Sequence, residues 1–371
     1  MALTPPPQTR PPEKTAEAHR FDADALGRLG AWLGENVPGC RGSGSRTVVA
    51  RQFKGGQSNP TYWIGVETPE GELELVLRKK PPGDLLPSAH AVEREYRIIR
   101  ALGGTGVPVP EALGLCEDAS VLGTPFFVMS FVAGRIFWDP TIPELTSNAA
   151  RAAVYRDYTA ALAALHQVDF AKVGLGDYGK VGGYVARQVD RWSKQYEASR
   201  TSDIPAMEAL MTFVRTRVPA SDETTLIHGD YRIDNIMYSL DDEPRALAII
   251  DWELSTLGHP VSDLAYACMG YHLNLPGRGG LAGVDVASLG IPTEQEMVDT
   301  YCALTGRGRI DDWAYFMAFG IFRLAAIAQG VFKRSLQGNA SSDSASSYGA
   351  AVTMLAELGC SIAGISGIKT S

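Results

Sequence analysis

The chain has 371 residues, of which 45% are hydrophobic and 20% charged, and a formal net charge of −8. That length suggests two lobes, each large enough to bury a core, and the acidic balance argues against nucleic-acid binding. Five scattered cysteines (Cys40, Cys116, Cys268, Cys302 and Cys360) without a C-x-x-C spacing point to reduced thiols in a cytoplasmic protein, and the N-terminus carries no apolar signal core.

The elements fall into two halves. Residues 1–18 are Pro-rich and polar and read as a disordered tail. A short helix at 22–33 leads into strand-like runs at 47–53, 61–66 and 73–79, a helix at 89–102 and an apolar run at 125–132. Strands with one inserted helix describe a small α+β lobe, 19–132. The larger lobe, 133–371, turns helical at 149–167, 183–199 and 204–218; a hairpin signal and further helices follow. The segment 337–348 is rich in Ser, Gly and Ala and is expected to be a surface loop. The most apolar stretch, 314–331, contains Arg323 and Gln329 and reads as a buried helix, not a membrane span.

The most informative segment is His228-Gly-Asp-Tyr-Arg-Ile-Asp-Asn235, followed by Ile249-Ile-Asp-Trp-Glu253. Between them, 236–240 and 246–250 flank the turn Asp241-Asp242-Glu243-Pro244. Pairing those runs sets Asn235 opposite Asp251 at the open end of the hairpin. Both are oxygen ligands suited to Mg²⁺, and Asp230 brings a second carboxylate to the same region. This is equipment for phosphoryl transfer, with one Asp to accept a hydroxyl proton and Asn and Asp to hold the metal.

The small lobe supplies matching parts. The paired glycines of Gly55-Gly56-Gln57-Ser58-Asn59 let backbone N–H groups approach phosphate oxygens, and Ser58 adds a hydroxyl. A Gly-rich turn alone would look the same; the rest of the constellation favours the phosphate reading. Alternation along 73–80 puts Arg78 and Lys80 on one face, and Arg78 stands where a phosphate-holding cation is needed. In the following helix, Val92, Tyr96, Ile99 and Leu102 form an apolar stripe that includes Glu95, while Glu93, Arg97 and Arg100 lie opposite. An inward carboxylate needs a cation, and Arg78 is the obvious one.

Taken together these residues resemble the aminoglycoside phosphotransferase and choline kinase-like families, over roughly 45–335. The resemblance is nearest to the kinase-like domain found fused to acyl-CoA dehydrogenases. It is carried by the runs at 55–62, 75–83, 90–97, 174–192, 228–235 and 251–266. It implies a bilobal protein-kinase-like α+β fold and an ATP- and Mg²⁺-dependent phosphotransferase acting on a small-molecule acceptor, with hydroxy acids or hydroxyacyl-CoA ranked first and aminoglycosides or choline-like alcohols next. Position by position it implies Asp230 as the base, Asn235 and Asp251 as metal ligands, Arg78 and Glu95 as the phosphate-positioning pair, and linker-backbone contacts to the base at Ser130 and Val132. It also implies His228 as support for the loop and Asp263 as its brace. Gly229, where protein kinases have Arg, favours a small acceptor over a protein.

Other features weigh less. Gly174-Leu-Gly-Asp-Tyr-Gly-Lys180 imitates a G-x-G-x-x-G motif but follows a helix, and Val181 stands where a Walker A needs Ser or Thr. His166 reads as a cap or core contact. Arg187, Arg191 and Lys194 form a basic stripe, either merely solvated or directed at a phosphate-bearing acceptor. A reading from another class is a nucleotide-binding pseudokinase scaffold; the presence of Asp230, Asn235 and Asp251 argues against it.

Overall fold

Strand alternation organises the first half of the protein, whose computed structural model describes residues 21–41, 47–53, 59–83, 91–275, 279–337 and 345–366. Asp22 caps helix α1 (Ala23–Asn36), accepting from the Ala25 N–H at 2.7 Å. Strands β1 (Val48–Gln52), β2 (Thr61–Thr68), β3 (Gly71–Lys79), β4 (Ala112–Cys116) and β5 (Phe126–Ser130) form one antiparallel sheet, ordered β1-β2-β3-β5-β4. Leu75 and Leu77 of the central strand β3 pack in the α1-side core with Leu29, Leu33, Ile64 and Val128. Val76 joins the other core, with Val92, Ile98, Ile99 and Leu102 of α2 (Val92–Leu102). Burying each such aliphatic side chain contributes about 1.5–3 kcal/mol, so the sheet holds a helix on each face.

In this half, β4 and the one-turn helix α3 (Ala119–Leu122) were not anticipated from sequence. The run 112–116 has a glycine at its centre, and strand β4 pairs with β5 through a register shift between Ala112 and Gly114; neither feature produces the alternation by which strands are recognised. The stripe of α2 is also corrected: Ile98 is fully buried and Tyr96 only partly.

Beyond Phe131 the chain crosses to the helical half. Arg135 exchanges two backbone hydrogen bonds of 2.8 Å with Tyr238, tying the linker to the hairpin. The second half comprises α4 (Asn148–His166), α5 (Tyr184–Ser199), α6 (Pro205–Thr216), β6 (Thr225–Ile227), β7 (Ile236–Tyr238), β8 (Ala246–Ile249), β9 (Thr256–Gly258), α7 (Pro260–Cys268), β10 (Asn274–Leu275), β11 (Gly279–Gly280), α8 (Glu294–Thr305), α9 (Trp313–Leu336) and α10 (Ala345–Ile362). Long enough and apolar enough to cross a bilayer, α9 instead packs against α5, α6, α7 and α10, burying Phe316, Phe319, Ile321 and Phe322. Residues 345–348, expected in a loop, begin α10. Among the described residues no two cysteines form a disulfide.

Candidate active site

The site forms where β3 and α2 meet the 228–235 loop and the β7–β8 hairpin. Arg78 lies near the end of β3, paired in register with Thr61 and Phe127, on the α2 face of the sheet. Its Nε lies 2.9 Å from Glu95 Oε2, a close ion-pair approach without hydrogen-bond alignment. Its Nη2 donates to Asp251 Oδ1 at 2.7 Å and lies 3.8 Å from Glu253 Oε2. Asn59 Nδ2 donates to the other oxygen of Glu95 at 2.7 Å. Glu95 is thus gripped on both oxygens while only 2% exposed. Burial pushes its carboxyl up to about 7; the Asp251 and Glu253 carboxylates add to the rise, and Arg78 and Asn59 oppose it. For Arg78 burial alone would lower the guanidinium, but the three carboxylates outweigh it and hold the cation above its ordinary value.

The loop is built around a buried imidazole. His228 Nδ1 accepts from the Asp230 N–H at 3.3 Å, so the proton sits on Nε2, which donates to the Ile250 carbonyl at 3.0 Å. Asp263, from α7, accepts from the backbone N–H groups of His228 at 2.7 Å and Gly229 at 2.9 Å. Burial would raise Asp263, yet its bond to His166 at 3.3 Å and these backbone donors keep it below the ordinary carboxylate value. His166 is itself held by the Tyr301 hydroxyl at 2.7 Å, a core contact as its sequence position suggested. Gly229 adopts φ 82°, and a Cβ there would fall 2.6 Å from the Leu254 carbonyl oxygen. Glycine is required at this turn.

Asn235 Nδ2 donates to the Asp230 carbonyl at 2.9 Å and to its Oδ2 at 3.3 Å, leaving Asn235 Oδ1 as the atom for a cation. The expected register is off by one residue. Ile236 pairs with Ile249, and the Ile250 N–H donates to the Asn235 carbonyl at 2.9 Å, so Asn235 stands opposite Ile250, not Asp251. Asp251 follows in the left-handed region, φ 64° and ψ 61°, and this turns it back to meet Arg78. A non-glycine residue in that conformation is strained, and such strain clusters at functional sites.

Asp230, Asn235, Asp251, Arg78 and Glu95 are therefore brought together, with Asn59 joining through Glu95 and His228 lying behind the loop. Gly55, Gly56 and Ser58 lie outside the described residues. Ser130 ends β5, its N–H donating to the Glu111 carbonyl at 2.9 Å and its hydroxyl accepting from the Glu111 N–H at 2.9 Å; Val132 is half-buried two residues on. Two open surface depressions, one bounded by Arg156, Asp241 and Arg245 and one by Tyr96, Arg100 and Leu113, lie elsewhere. No group of three His, Cys, Asp or Glu able to hold a metal occurs among the described residues. The fit to Mg²⁺ is nonetheless good, because this ion takes one or two protein oxygens and completes its shell with phosphate and water.

Sequence reasoning missed three residues. Tyr266 donates a very short hydrogen bond to Asp230 Oδ1, Arg323 Nη2 donates to the Gly229 carbonyl at 3.0 Å, and Glu253 flanks Arg78. The signals were present: Tyr266 falls three residues after Asp263 on one helix face, and Arg323 is a charge within an apolar run. The 174–180 loop receives α2: Arg97 bonds the Gly174 carbonyl at 2.8 Å and Asp177, and Arg94 bonds the Tyr178 carbonyl at 2.9 Å. Within the basic stripe, Arg187 is engaged by the Lys180 and Gly182 carbonyls and Lys194 by Asp190 at 2.8 Å, whereas Arg191 lies over Trp192.

A β-rich half whose inward Arg–Glu pair faces an Asp-Asn-Asp set on a helical half is the layout of kinase-like phosphotransferases that act on small molecules. Residues 49–296 match the model of the phosphotransferase enzyme family, and the chain belongs to that family. It is 46% identical over 355 residues to acyl-CoA dehydrogenase family member 10 of Mus musculus and 42% identical over 357 residues to acyl-CoA dehydrogenase family member 11 of Rattus norvegicus. Each alignment covers 95% of this chain but only 32% and 44% of those relatives, so the chain spans under half of their length. A crystal structure from Ralstonia eutropha, described as a candidate aminoglycoside phosphotransferase, superposes with a TM-score of 0.82 at 44% identity, covering 93% of this chain and 99% of that one. Choline kinase from Cryptosporidium parvum shares the fold at 10% identity, with a TM-score of 0.57 over 89% of this chain and 94% of that one.

Proposed function

We propose that this phosphotransferase moves the γ-phosphoryl group of ATP, with Mg²⁺, to a hydroxyl of a small acceptor, foremost a hydroxy acid or its CoA thioester. The observation that carries the reading is the convergence of Asp230, Asn235 and Asp251 with the Arg78–Glu95 pair. Arg78 holds phosphate oxygens, and Glu95, fixed by Asn59, keeps the guanidinium in place. Asn235 and Asp251 would hold Mg²⁺, which would supply positive charge for the transferred phosphoryl group. Asp230, steadied by Tyr266 and Asn235, orients the acceptor hydroxyl and takes its proton late. Ser130 and Val132 supply linker-backbone contacts to the base. Such a step depends mainly on positioning and fixed charge. The likeness to domains found in acyl-CoA dehydrogenase family members supports the acceptor class.

The test compares two variants. Asp230→Asn abolishes turnover but spares nucleotide binding, whereas Asp251→Ala also weakens Mg-ATP binding. Near-parental turnover by Asp230→Asn overturns the assignment.

A further inference from the structure

Arg323 stands in the apolar middle of helix α9, and it forms no ion pair among the described residues. Besides its bond to the Gly229 carbonyl, its guanidinium carbon lies 5.4 Å from the ring centroid of Tyr266 and 5.7 Å from that of Trp192. Its Nε is shielded from solvent and has no hydrogen-bond partner. Among the described residues no carboxylate forms an ion pair with it. Arg191, exposed on α5, places its guanidinium carbon 5.4 Å from the same Trp192 ring, again with no carboxylate paired to it.

The neighbouring charges are already committed. Arg232 Nη2 is held by Asp234 at 2.9 Å, and its Nε lies 3.8 Å from Asp230 Oδ1. Asp230 in turn accepts from Tyr266, the residue whose ring Arg323 covers. Arg323 and Arg191 are therefore a positive surplus beside the proposed base, in a chain whose total charge is −8. A half-buried cation with an idle donor is costly unless an anion meets it. The planar guanidinium fork matches a carboxylate or phosphate with two parallel bonds.

We propose that Arg323, assisted by Arg191 across Trp192, reads an oxyanion on the acceptor, so that the hydroxyl to be phosphorylated belongs to an anionic molecule. Two sources carry that chemistry, the carboxylate of a free hydroxy acid and the phosphates of its CoA thioester. Cationic amino alcohols and polyamines meet like charge in the same place. This inference rests on the phosphotransfer reading above and refines its acceptor.

The experiment uses the full chain with three acceptors sharing one hydroxyalkyl group: the free acid, its primary amide and its CoA thioester. The parent enzyme prefers an anionic acceptor to the amide in kcat/KM. Arg323→Gln lowers that preference on the order of 10- to 100-fold, chiefly through the acceptor KM, as expected for a lost charge-assisted bond; Arg323→Lys recovers part of it. A loss confined to the acid assigns the carboxylate, and a loss confined to the thioester, enlarged in Arg191→Gln, assigns the phosphates. Equal losses on all three acceptors reduce Arg323 to a support for Gly229 and overturn the proposal, as does a parent enzyme that prefers the amide or a cationic alcohol. If Asp230→Asn keeps its turnover, the reaction reading fails on its own, and equilibrium binding of acid and thioester to parent and Arg323→Gln still decides the anion site.

Discussion

Arg78 on the sheet and Asp251 on the hairpin, 173 residues apart in sequence, share a 2.7 Å hydrogen bond that joins the two halves of the protein. The same guanidinium pairs with Glu95 at 2.9 Å. Arginine is needed because one planar group must face two carboxylates in different directions, which a single ammonium does not do. Arg78→Lys keeps the charge and loses the fork, so the KM for ATP should rise on the order of tenfold, with a smaller fall in kcat. Initial rates across ATP concentrations at fixed acceptor check this. An unchanged KM would remove Arg78 from phosphate binding.

Gly229→Ala should be severe although alanine adds one carbon. The left-handed conformation at φ 82° costs a non-glycine residue about 1–2 kcal/mol, and the new Cβ would meet a backbone oxygen at 2.6 Å that has no side chain to move aside. The loop must shift, carrying the carbonyl that Arg323 holds and the Asp230 that follows it. A thermal melt should show a clear drop in Tm, and turnover should fall further than nucleotide affinity. A variant as stable and active as the parent would show that the loop tolerates a second conformation.

The order of elements, the Arg78–Glu95 pair and the loop–hairpin relation of Asp230, Asn235 and Asp251 were legible because each leaves a local mark: alternation, one charge in an apolar stripe, or a turn between two short strands. What was not legible depends on backbone angles and distant packing. Asp251 reaches Arg78 through a left-handed turn, and neither that turn nor the one-residue shift of register is visible in side-chain pattern. Arg323 and Tyr266 are brought to the loop by helices that lie 30 or more positions further along the chain, and only packing decides which of their faces turns inward. β4 was lost because a glycine at its centre and a register shift remove alternation.

Tyr266→Phe isolates one hydrogen bond to the proposed base. The hydroxyl donates to Asp230 Oδ1, and its removal takes away a contact that fixes the orientation of the carboxylate. In a loose phosphoryl-transfer transition state the acceptor proton leaves late, so positioning of the acceptor by Asp230 matters most. The expectation is a fall in kcat of about tenfold, with the KM for ATP unchanged. An unchanged kcat would show that Asp230 is oriented without Tyr266.

Acid should loosen this site through a residue that touches no ligand. His259 caps α7, the helix that carries Asp263 and Tyr266; its Nδ1 accepts from the Val261 N–H at 3.2 Å, and its ring stacks on Phe316 with centroids 4.7 Å apart. Burial pulls its pKa down from 6.5 to about 4; Arg307 adds to the fall, and Glu223 and Asp222 oppose it. The folded state therefore favours the neutral ring. Its contribution to stability is complete above pH 6.5 and is lost as pH falls through 4, by at most about 3 kcal/mol. A protonated Nδ1 also stops accepting from Val261, so the cap goes with the charge. His259→Asn keeps a capping oxygen and does not titrate. Denaturant midpoints measured from pH 7.5 to 4.5 should fall less steeply in that variant than in the parent, and equal slopes would mean that other groups carry the acid sensitivity.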